Sequence, residues 1–411
     1  MRIVEEVDLG MDFCGLHFKN PFILASSPIT ATGEMIERAF AAGWGGAVTK
    51  TLFRDQVVNV RPCFASAAYP GNPGEPKKIY AFENIETVTD RSFDLWLKEI
   101  EAIRKNHPDS VLIASIMDDP TTPEGWCEMA QKLESAGAQM IELNLSCPQG
   151  MPEKGMGMAI GQNPQIAGAV TGWVAKCVKI PVMAKMTPNV TDIRLPAKSC
   201  VEAGARAISA INTVSAIIGV DLETFTPRPA VAGYSTYGGL SGAAIKPIAL
   251  KAIALIGQAL NIPISGIGGI NTWEDAAEFL LMGASTLQVC TAVMLGGYEI
   301  IEDLEDGLRG YMEDHGFVSL AEMVGLAQKK IKAHSALSRA HKLASSIDLS
   351  KCVKCDRCYI SCRDAGYQAI SLGEDRLPVV DEEKCTGCSL CYQVCPVWDC
   401  VTMKKVKAPA R

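Results

Sequence analysis

The stretch EGWCEMAQKLESAGAQMIELNLSCPQG, residues 124–150, decides the fold. Its first part reads as an amphipathic helix stopped by Ala136-Gly137, the expected glycine terminus. An apolar run with strand character follows, MIELNL (140–145). Asn144, Ser146, Cys147 and Pro148 then arrive in quick succession. A buried strand that closes on an amide, a hydroxyl and a thiol either simply leaves the core there or faces a substrate.

The same unit recurs along the chain. Apolar, often β-branched runs appear at FILAS (22–26), GAVTK (46–50), VLIASI (111–116), PVMAKM (181–186), AISAIN (207–212), PISGIG (263–268) and TLQVC (286–290). Amphipathic helices such as EMIERAFAAG, IRLPAKSCVEAG and WEDAAEFLLMG lie between them. Strands alternating with helices imply a parallel sheet. Eight such units within residues 1–310 predict a (β/α)8 TIM barrel, an α/β fold. The opening DLGMDFCGLHFKNP reads as a hairpin able to plug the barrel's lower end. Two long connections, 51–110 with AAYPGNPGEPKK and 213–246 with VAGYSTYGGLSG, read as lids or binding loops. Residues 311–345, containing the basic AQKKIKAHSALSRAHKL, are expected to form a helical connecting arm, and 346–411 a second domain.

Of the 411 residues, 48% are hydrophobic and 21% charged, which suits a large core. A net charge of -7 argues against a nucleic-acid surface. No run of 18 apolar residues predicts a membrane-spanning helix. The start, MRIVEEVDLG, lacks the basic and apolar regions of a signal peptide, so a cytoplasmic location is expected. Of 16 cysteines, eight lie between Cys352 and Cys395. Such clustering without an export signal points to metal in a reducing compartment.

Those eight form an internal repeat. KCVKCDRCYISC (351–362) and KCTGCSLCYQVCP (384–396) align with an offset of 33 residues, each spaced C-x2-C-x2-C-x3-C. In this spacing three cysteines wrap one corner of a 4Fe-4S cubane and the fourth ligates the other cluster. Cys352, Cys355, Cys358 and Cys395 therefore go to one cluster, and Cys385, Cys388, Cys391 and Cys362 to the second. The competing reading is a pair of zinc sites, but zinc knuckles separate two C-x2-C pairs by about 12–20 residues. Residues 346–406 resemble the two-cluster bacterial ferredoxins. Arg363 stands where that pattern places a proline, and Cys400, outside the pattern, reads as a core residue.

Active sites of TIM barrels gather at the C-terminal strand ends. There the sequence places Ser26, Lys50, Asn144, Cys147, Lys185, Asn212, Thr213, Gly268, Gly269, Cys290 and Thr291, with Asn84 and Glu86 in the FENIE loop. The glycine-rich turns GIGGIN and GGLSG (Ser241, Gly242) offer free backbone N–H groups to a phosphate. Clusters pass single electrons and most organic substrates take two; a flavin can do both. Lys50 and Lys185 are the candidates for the pyrimidine end of a flavin.

LNLSCP, AKMTPNVTDI, INTV, STYGGLSG, GIGGI and LQVCTAV, in that order, resemble the dihydropyrimidine dehydrogenase family. More broadly they are similar to the dihydroorotate dehydrogenase superfamily of FMN barrels. The likeness continues through the cluster domain, as in the FMN and iron–sulfur catalytic subunits of the bacterial NAD-dependent enzymes. It implies that Ser26, Lys50, Asn144, Lys185, Ser241, Gly242, Gly268, Gly269, Cys290 and Thr291 hold FMN. It implies that Asn84, Glu86, Asn144, Asn212 and Thr213 read a pyrimidine, and that Cys147 is the catalytic acid. The implied reaction is a step of pyrimidine catabolism, the reversible reduction of uracil and thymine to 5,6-dihydropyrimidines. Hydride would pass from reduced FMN to carbon 6 and a proton from Cys147 to carbon 5.

The residue chemistry agrees. Asparagine offers both a donor and an acceptor, which suits an imide edge. A thiol with a pKa near ~8.5 keeps its proton at neutral pH. No histidine falls at a strand end; the five are His17, His107, His315, His334 and His341. No G-x-G-x-x-G fingerprint with a downstream acidic residue follows a strand. NAD and FAD are therefore expected on a partner subunit, with a heterotetramer as the implied assembly. The alternatives are a dihydroorotate dehydrogenase and a non-catalytic electron-transfer subunit. The fused cluster domain and TPNVTDI weigh against the first, and the intact ring of site residues against the second.

Overall fold

Eight parallel strands close into a barrel: β1 (Phe22–Leu24), β2 (Gly46–Val48), β3 (Val111–Ile116), β4 (Met140–Asn144), β5 (Val182–Met186), β6 (Ala207–Ala210), β7 (Ile264–Ile267) and β8 (Thr286–Val289). This computed structural model describes residues 7–72, 74–340, 342–365 and 367–406. Each strand pairs with the next, as in Ala47↔Leu112 and Leu143↔Ala184, and Val289↔Leu24 closes the ring. Strands covered on both faces need apolar side chains on both, which is why VLIASI is buried from end to end.

The eight outer helices are α1 (Gly33–Ala42), α2 (Phe93–Asn106), α3 (Pro123–Ala136), α4 (Pro164–Cys177), α5 (Arg194–Glu202), α6 (Lys246–Ala259), α7 (Trp273–Leu281) and α8 (Ile300–His315). α3 shows why the opening stretch is decisive. It buries Trp126, Met129, Ala130 and Leu133, one face at helical spacing. It stops at Gly137, whose φ of 106° only glycine adopts without strain and whose N–H caps the last carbonyls. The chain is thereby turned straight into β4.

The N-terminal hairpin forms as expected, Met11–Phe13 against Leu16–Phe18. Phe13 and Phe18 pack with Ile23, Val48, Val111, Ile113, Met140, Met183 and Ala207, the inward residues of six strands. The barrel floor is therefore sealed by the hairpin, and its mouth is left for chemistry.

The two long connections are more ordered than loops. They form a four-stranded antiparallel sheet in the order Val214–Ala216, Gly238–Ser241, Ile79–Asn84, Phe64–Ala68. Asn84 therefore ends a strand, paired with Gly239, rather than sitting in a loop. This sheet was invisible in the sequence because its pairings are non-local and GGLS has little intrinsic strand preference.

Glu83 lies in this sheet, fully buried, and neither carboxylate oxygen has a hydrogen-bond partner. Burial pushes its carboxyl up from 4.5 to about 7. Between those values the folded protein keeps a proton that the unfolded chain has released, so stability falls as pH rises through about 7. Glu83→Gln is thus expected to gain stability relative to the parent as pH rises from about 4.5 to above 7. Thermal melts across that range check it, and a pH-independent gap would show that the carboxyl is not held neutral.

The chain divides by contacts into Met1–Lys330 and Ile331–Arg411. The second unit pairs Lys342–Ile347 with Val401–Val406 and Ile370–Leu372 with Pro378–Val380, around helices Arg357–Asp364 and Leu390–Val394. The helical arm expected over 311–345 is not one. α8 ends at His315, and beyond it lie a short helix, Leu320–Met323, and 3-10 turns at Gln328–Lys330 and His334–Ala336. Lys329, Lys330 and Lys332 leave no continuous apolar stripe for a helix to bury there. Cys400 is buried, as read from the sequence. Among the described residues no helix is long and apolar enough to cross a membrane.

Candidate active site and cluster sites

One cavity opens at the C-terminal ends of the barrel strands. Ser26, Lys50, Asn84, Glu86, Asn144, Cys147, Lys185, Asn212, Thr213, Ser241, Gly242, Gly268, Gly269, Cys290 and Thr291 all line it. Every barrel residue singled out for a site from the sequence is therefore brought to the same place. No histidine lines it; His341 lies outside the described residues.

The chain beyond β2 carries Lys50 inward. Its Nζ lies 2.6 Å from Glu86 Oε2, and both side chains are almost wholly buried. Glu86 Oε1 also meets Arg61 at 3.0 Å. The next residue, Thr51, is a hub: its Oγ1 stands 3.1 Å from the hydroxyls of Ser26 and Ser115 and accepts from Asn144 Nδ2 at 2.9 Å.

On β5, Lys185 Nζ stands 3.3 Å from Glu142 Oε1 on β4. Glu142 Oε2 accepts from Ser209 Oγ on β6 at 3.0 Å and from Gln288 Nε2 on β8 at 3.1 Å. Four strands thus tie together through one fully buried carboxylate. A buried charge needs a partner and filled hydrogen-bond positions to be tolerated, and Glu142 has both.

Past β4 the amides and hydroxyls interlock. Asn144 Oδ1 accepts from the Ser146 N–H at 3.3 Å, Ser146 Oγ at 3.1 Å and Asn212 Nδ2 at 3.3 Å. Asn212 Oδ1 accepts the Thr213 N–H at 2.8 Å, and Asn84 Oδ1 the Glu86 N–H at 2.6 Å. Cys147 is buried against Val88, Met117, Met151 and Met156. That burial raises its pKa above the ordinary thiol value, opposed by the Gln149 backbone and the charges of Lys50 and Lys185. Cys147 is consequently a protonated thiol at neutral pH. Cys290 is likewise pushed up by burial.

Opposite these groups lie the glycine turns. Gly268 and Gly269, beyond β7, have φ of 130° and 84°, and Gly242 has 86°. A Cβ on Gly269 would stand 2.8 Å from the Gly242 carbonyl oxygen and 2.9 Å from the Lys246 nitrogen. Among the described residues, no protein group accepts the N–H of Gly268 or Gly269. Thr291 Oγ1 donates to Ser241 Oγ at 2.8 Å beside them.

Sequence reasoning missed Thr51, Gln149 and Gln288, which also line the cavity. Gln149 spends its Nε2 on the Glu86 carbonyl at 2.8 Å, and Gln288 spends its own on Glu142 and Ser265. Each has a buried Oε1 without a partner. A buried orphan acceptor costs about 1–3 kcal/mol, so each is suited to a donor on a bound group. The available signals were position, Gln149 in the same loop as Cys147, and Gln288 as the polar break in TLQVC.

This donor set fits a phosphate-bearing flavin: free glycine amides for the phosphate, buried ammonium groups and unpaired acceptors for the ring. Gly269→Ala tests the fit. A side chain there meets backbone at strained φ, costing about 1–3 kcal/mol. FMN retention should fall by about 5- to 100-fold; unchanged FMN content after desalting would contradict the placement.

In the second unit, Cys352, Cys355, Cys358 and Cys395 line one cavity. Cys391 lies near Cys385 and Cys388. Cys362 Sγ accepts the Ala369 N–H at 3.3 Å. The 33-residue repeat is also written in the backbone: Lys354 and Gly387, and Asp356 and Ser389, are corresponding pairs with positive φ. Among the described residues no three His, Cys, Asp or Glu side chains converge on a single ion. Sulfurs around a cubane stand farther apart than ligands around one metal.

Comparison with known proteins agrees with both halves. The dihydroorotate dehydrogenase family model matches residues 8–312, and a 4Fe-4S dicluster domain model matches residues 345–403. The chain is 44% identical over 404 residues to the NAD-dependent dihydropyrimidine dehydrogenase subunit PreA of Escherichia coli K12, covering 97% of this chain and 96% of that one. It is 39% identical to the chloroplastic dihydropyrimidine dehydrogenase (NADP(+)) of Arabidopsis thaliana, over 82% of this chain and 81% of that one. It is 40% identical to the catalytic subunit of dihydroorotate dehydrogenase B (NAD(+)) of Pyrococcus abyssi, over 78% of this chain and 99% of the relative.

Proposed function

This chain belongs to the dihydroorotate dehydrogenase family, in its dihydropyrimidine dehydrogenase branch, and on that premise we propose that it reduces uracil and thymine to their 5,6-dihydro forms. It is the catalytic subunit of an NAD-dependent oxidoreductase, with FMN and two 4Fe-4S clusters as cofactors. The observation that carries the substrate class is the commitment of the cavity's cations. Orotate brings a carboxylate that calls for a free positive charge, whereas Lys50 and Lys185 are already paired with Glu86 and Glu142. A neutral imide asks only for donors and acceptors, which Asn84, Asn144, Asn212, Thr213 and Gln149 supply. The cluster domain points the same way, since the orotate enzyme of Pyrococcus abyssi covers 78% of this chain and the Escherichia coli pyrimidine enzyme 97%.

Ser26, Lys50, Asn144, Lys185, Ser241, Gly242, Gly268, Gly269, Cys290 and Thr291 hold the flavin, with the glycine amides on its phosphate. When bound, FMN supplies hydride chemistry and exchanges single electrons with the clusters. Asn84, Glu86, Asn144, Asn212 and Thr213 orient the pyrimidine. Cys147 gives its proton to carbon 5, and its apolar surroundings keep that proton in place until the substrate arrives. Asn144 hydrogen-bonds Thr51, Ser146 and Asn212, so the parts of the site assigned to flavin and to pyrimidine share one network. The chain works as one subunit of a larger assembly. We infer a partner that carries FAD and the NAD site, in a heterotetramer; the lack of a dinucleotide fingerprint here supports this.

Turnover with a reduced viologen as donor tests the substrate class without the partner. Uracil and thymine should be reduced at least about a hundredfold faster than orotate. Faster reduction of orotate would overturn the assignment.

A further inference from the structure

Ser345 lies on the strand Lys342–Ile347 and is 2% exposed. Its hydroxyl is 3.3 Å from Cys391 Sγ, the one side-chain partner recorded for it among the described residues. A cysteine that ligates iron has no proton, so in the loaded protein the hydroxyl must be the donor. A second donor serves the same cluster, because the Ala369 N–H reaches Cys362 Sγ at 3.3 Å.

The internal repeat gives a built-in control. Moving 33 residues along, the counterpart of Ser345 is Pro378, and that of Ala369 is Thr402. Pro378 lines the cavity of the other cluster together with Cys358, and its ring carries no donor. Thr402 is committed to the strand pair with Ser346. Near that cluster, Cys395 Sγ faces the Val397 carbonyl oxygen at 3.5 Å, and the Cys400 thiol donates to the Asp348 carbonyl at 3.5 Å. A donor stabilises the more negative, reduced cluster; a carbonyl oxygen does not.

We propose that the cluster held by Cys362, Cys385, Cys388 and Cys391 has the higher reduction potential of the two, and that the Ser345 hydroxyl helps to raise it. An electron shared by the pair then rests on that cluster. Ser345 touches no substrate; it is a positioning residue for charge. The proposal rests on the cluster assignment, which iron content checks separately.

The test is an anaerobic redox titration of the full-length holoprotein followed by electron paramagnetic resonance. Ser345→Ala should move the higher-potential step to more negative values and leave the lower step in place. Ser345→Thr and Ser345→Val form a matched pair of similar shape that differs in the hydroxyl, and they carry the test if the alanine variant loses iron. The threonine variant should stay closer to the parent, with the valine variant more negative. Equal potentials in that pair, an unmoved higher step in Ser345→Ala, or a shift confined to the lower step would overturn the proposal.

Discussion

Cys147→Ala is expected to keep FMN and both clusters and to lose about 10²–10⁴-fold in turnover, the range for removal of a general acid. Among the described residues that line the cavity there is no histidine, Glu86 is engaged with Lys50 and Arg61, and the other thiol, Cys290, is assigned to the flavin. The thiol is held neutral by burial, more strongly than the two nearby lysine charges oppose it. The sign of the pH dependence follows. Pyrimidine reduction should be flat through neutrality and fall only at alkaline pH, above the free-thiol range near ~8.5. Reduction of the bound flavin by an artificial donor should be unchanged in the variant, which separates proton delivery from electron supply. Near-normal turnover in Cys147→Ala would remove the thiol from the mechanism.

The second large effect belongs to Glu142. Glu142→Ala leaves the buried Lys185 ammonium without its carboxylate and frees the donors of Ser209 and Gln288. Losing one member of a buried pair costs about 3–5 kcal/mol. Glu142→Gln combined with Lys185→Met removes both charges and should recover most of that stability in denaturant melts. FMN should still bind poorly to the double variant, because Lys185 is assigned to the flavin. Recovery of stability and flavin together would show that the pair serves folding alone.

How the molecule yields to sequence reading depends on the range of the interactions. Each barrel strand announces itself because burial on both faces demands an unbroken apolar run, and Gly137 ends α3 for a local backbone reason. The cluster cysteines are legible because their spacing is itself the chemistry. Lys50, Cys147 and Lys185 stand out as polar groups at the ends of apolar runs. What the sequence hides is cross-chain. The sheet that brings Asn84 to the mouth pairs strands from two distant connections. Gln288 faces Glu142 across the barrel, and Thr51 becomes a hub only when Ser26, Ser115 and Asn144 converge on it. The basic segment around Lys329–Lys332 misled because helix-forming residues without an apolar face have nothing to pack against.

The most direct measurement is a single turnover. The holoprotein, reduced anaerobically without its partner, is mixed with uracil while the flavin absorbance is followed. The expected result is return of the oxidised flavin spectrum with one dihydrouracil formed per two electrons stored in flavin and clusters, and little change with orotate. A flavin that stays reduced with uracil and thymine, or that is reoxidised by orotate alone, would contradict pyrimidine reduction in this cavity.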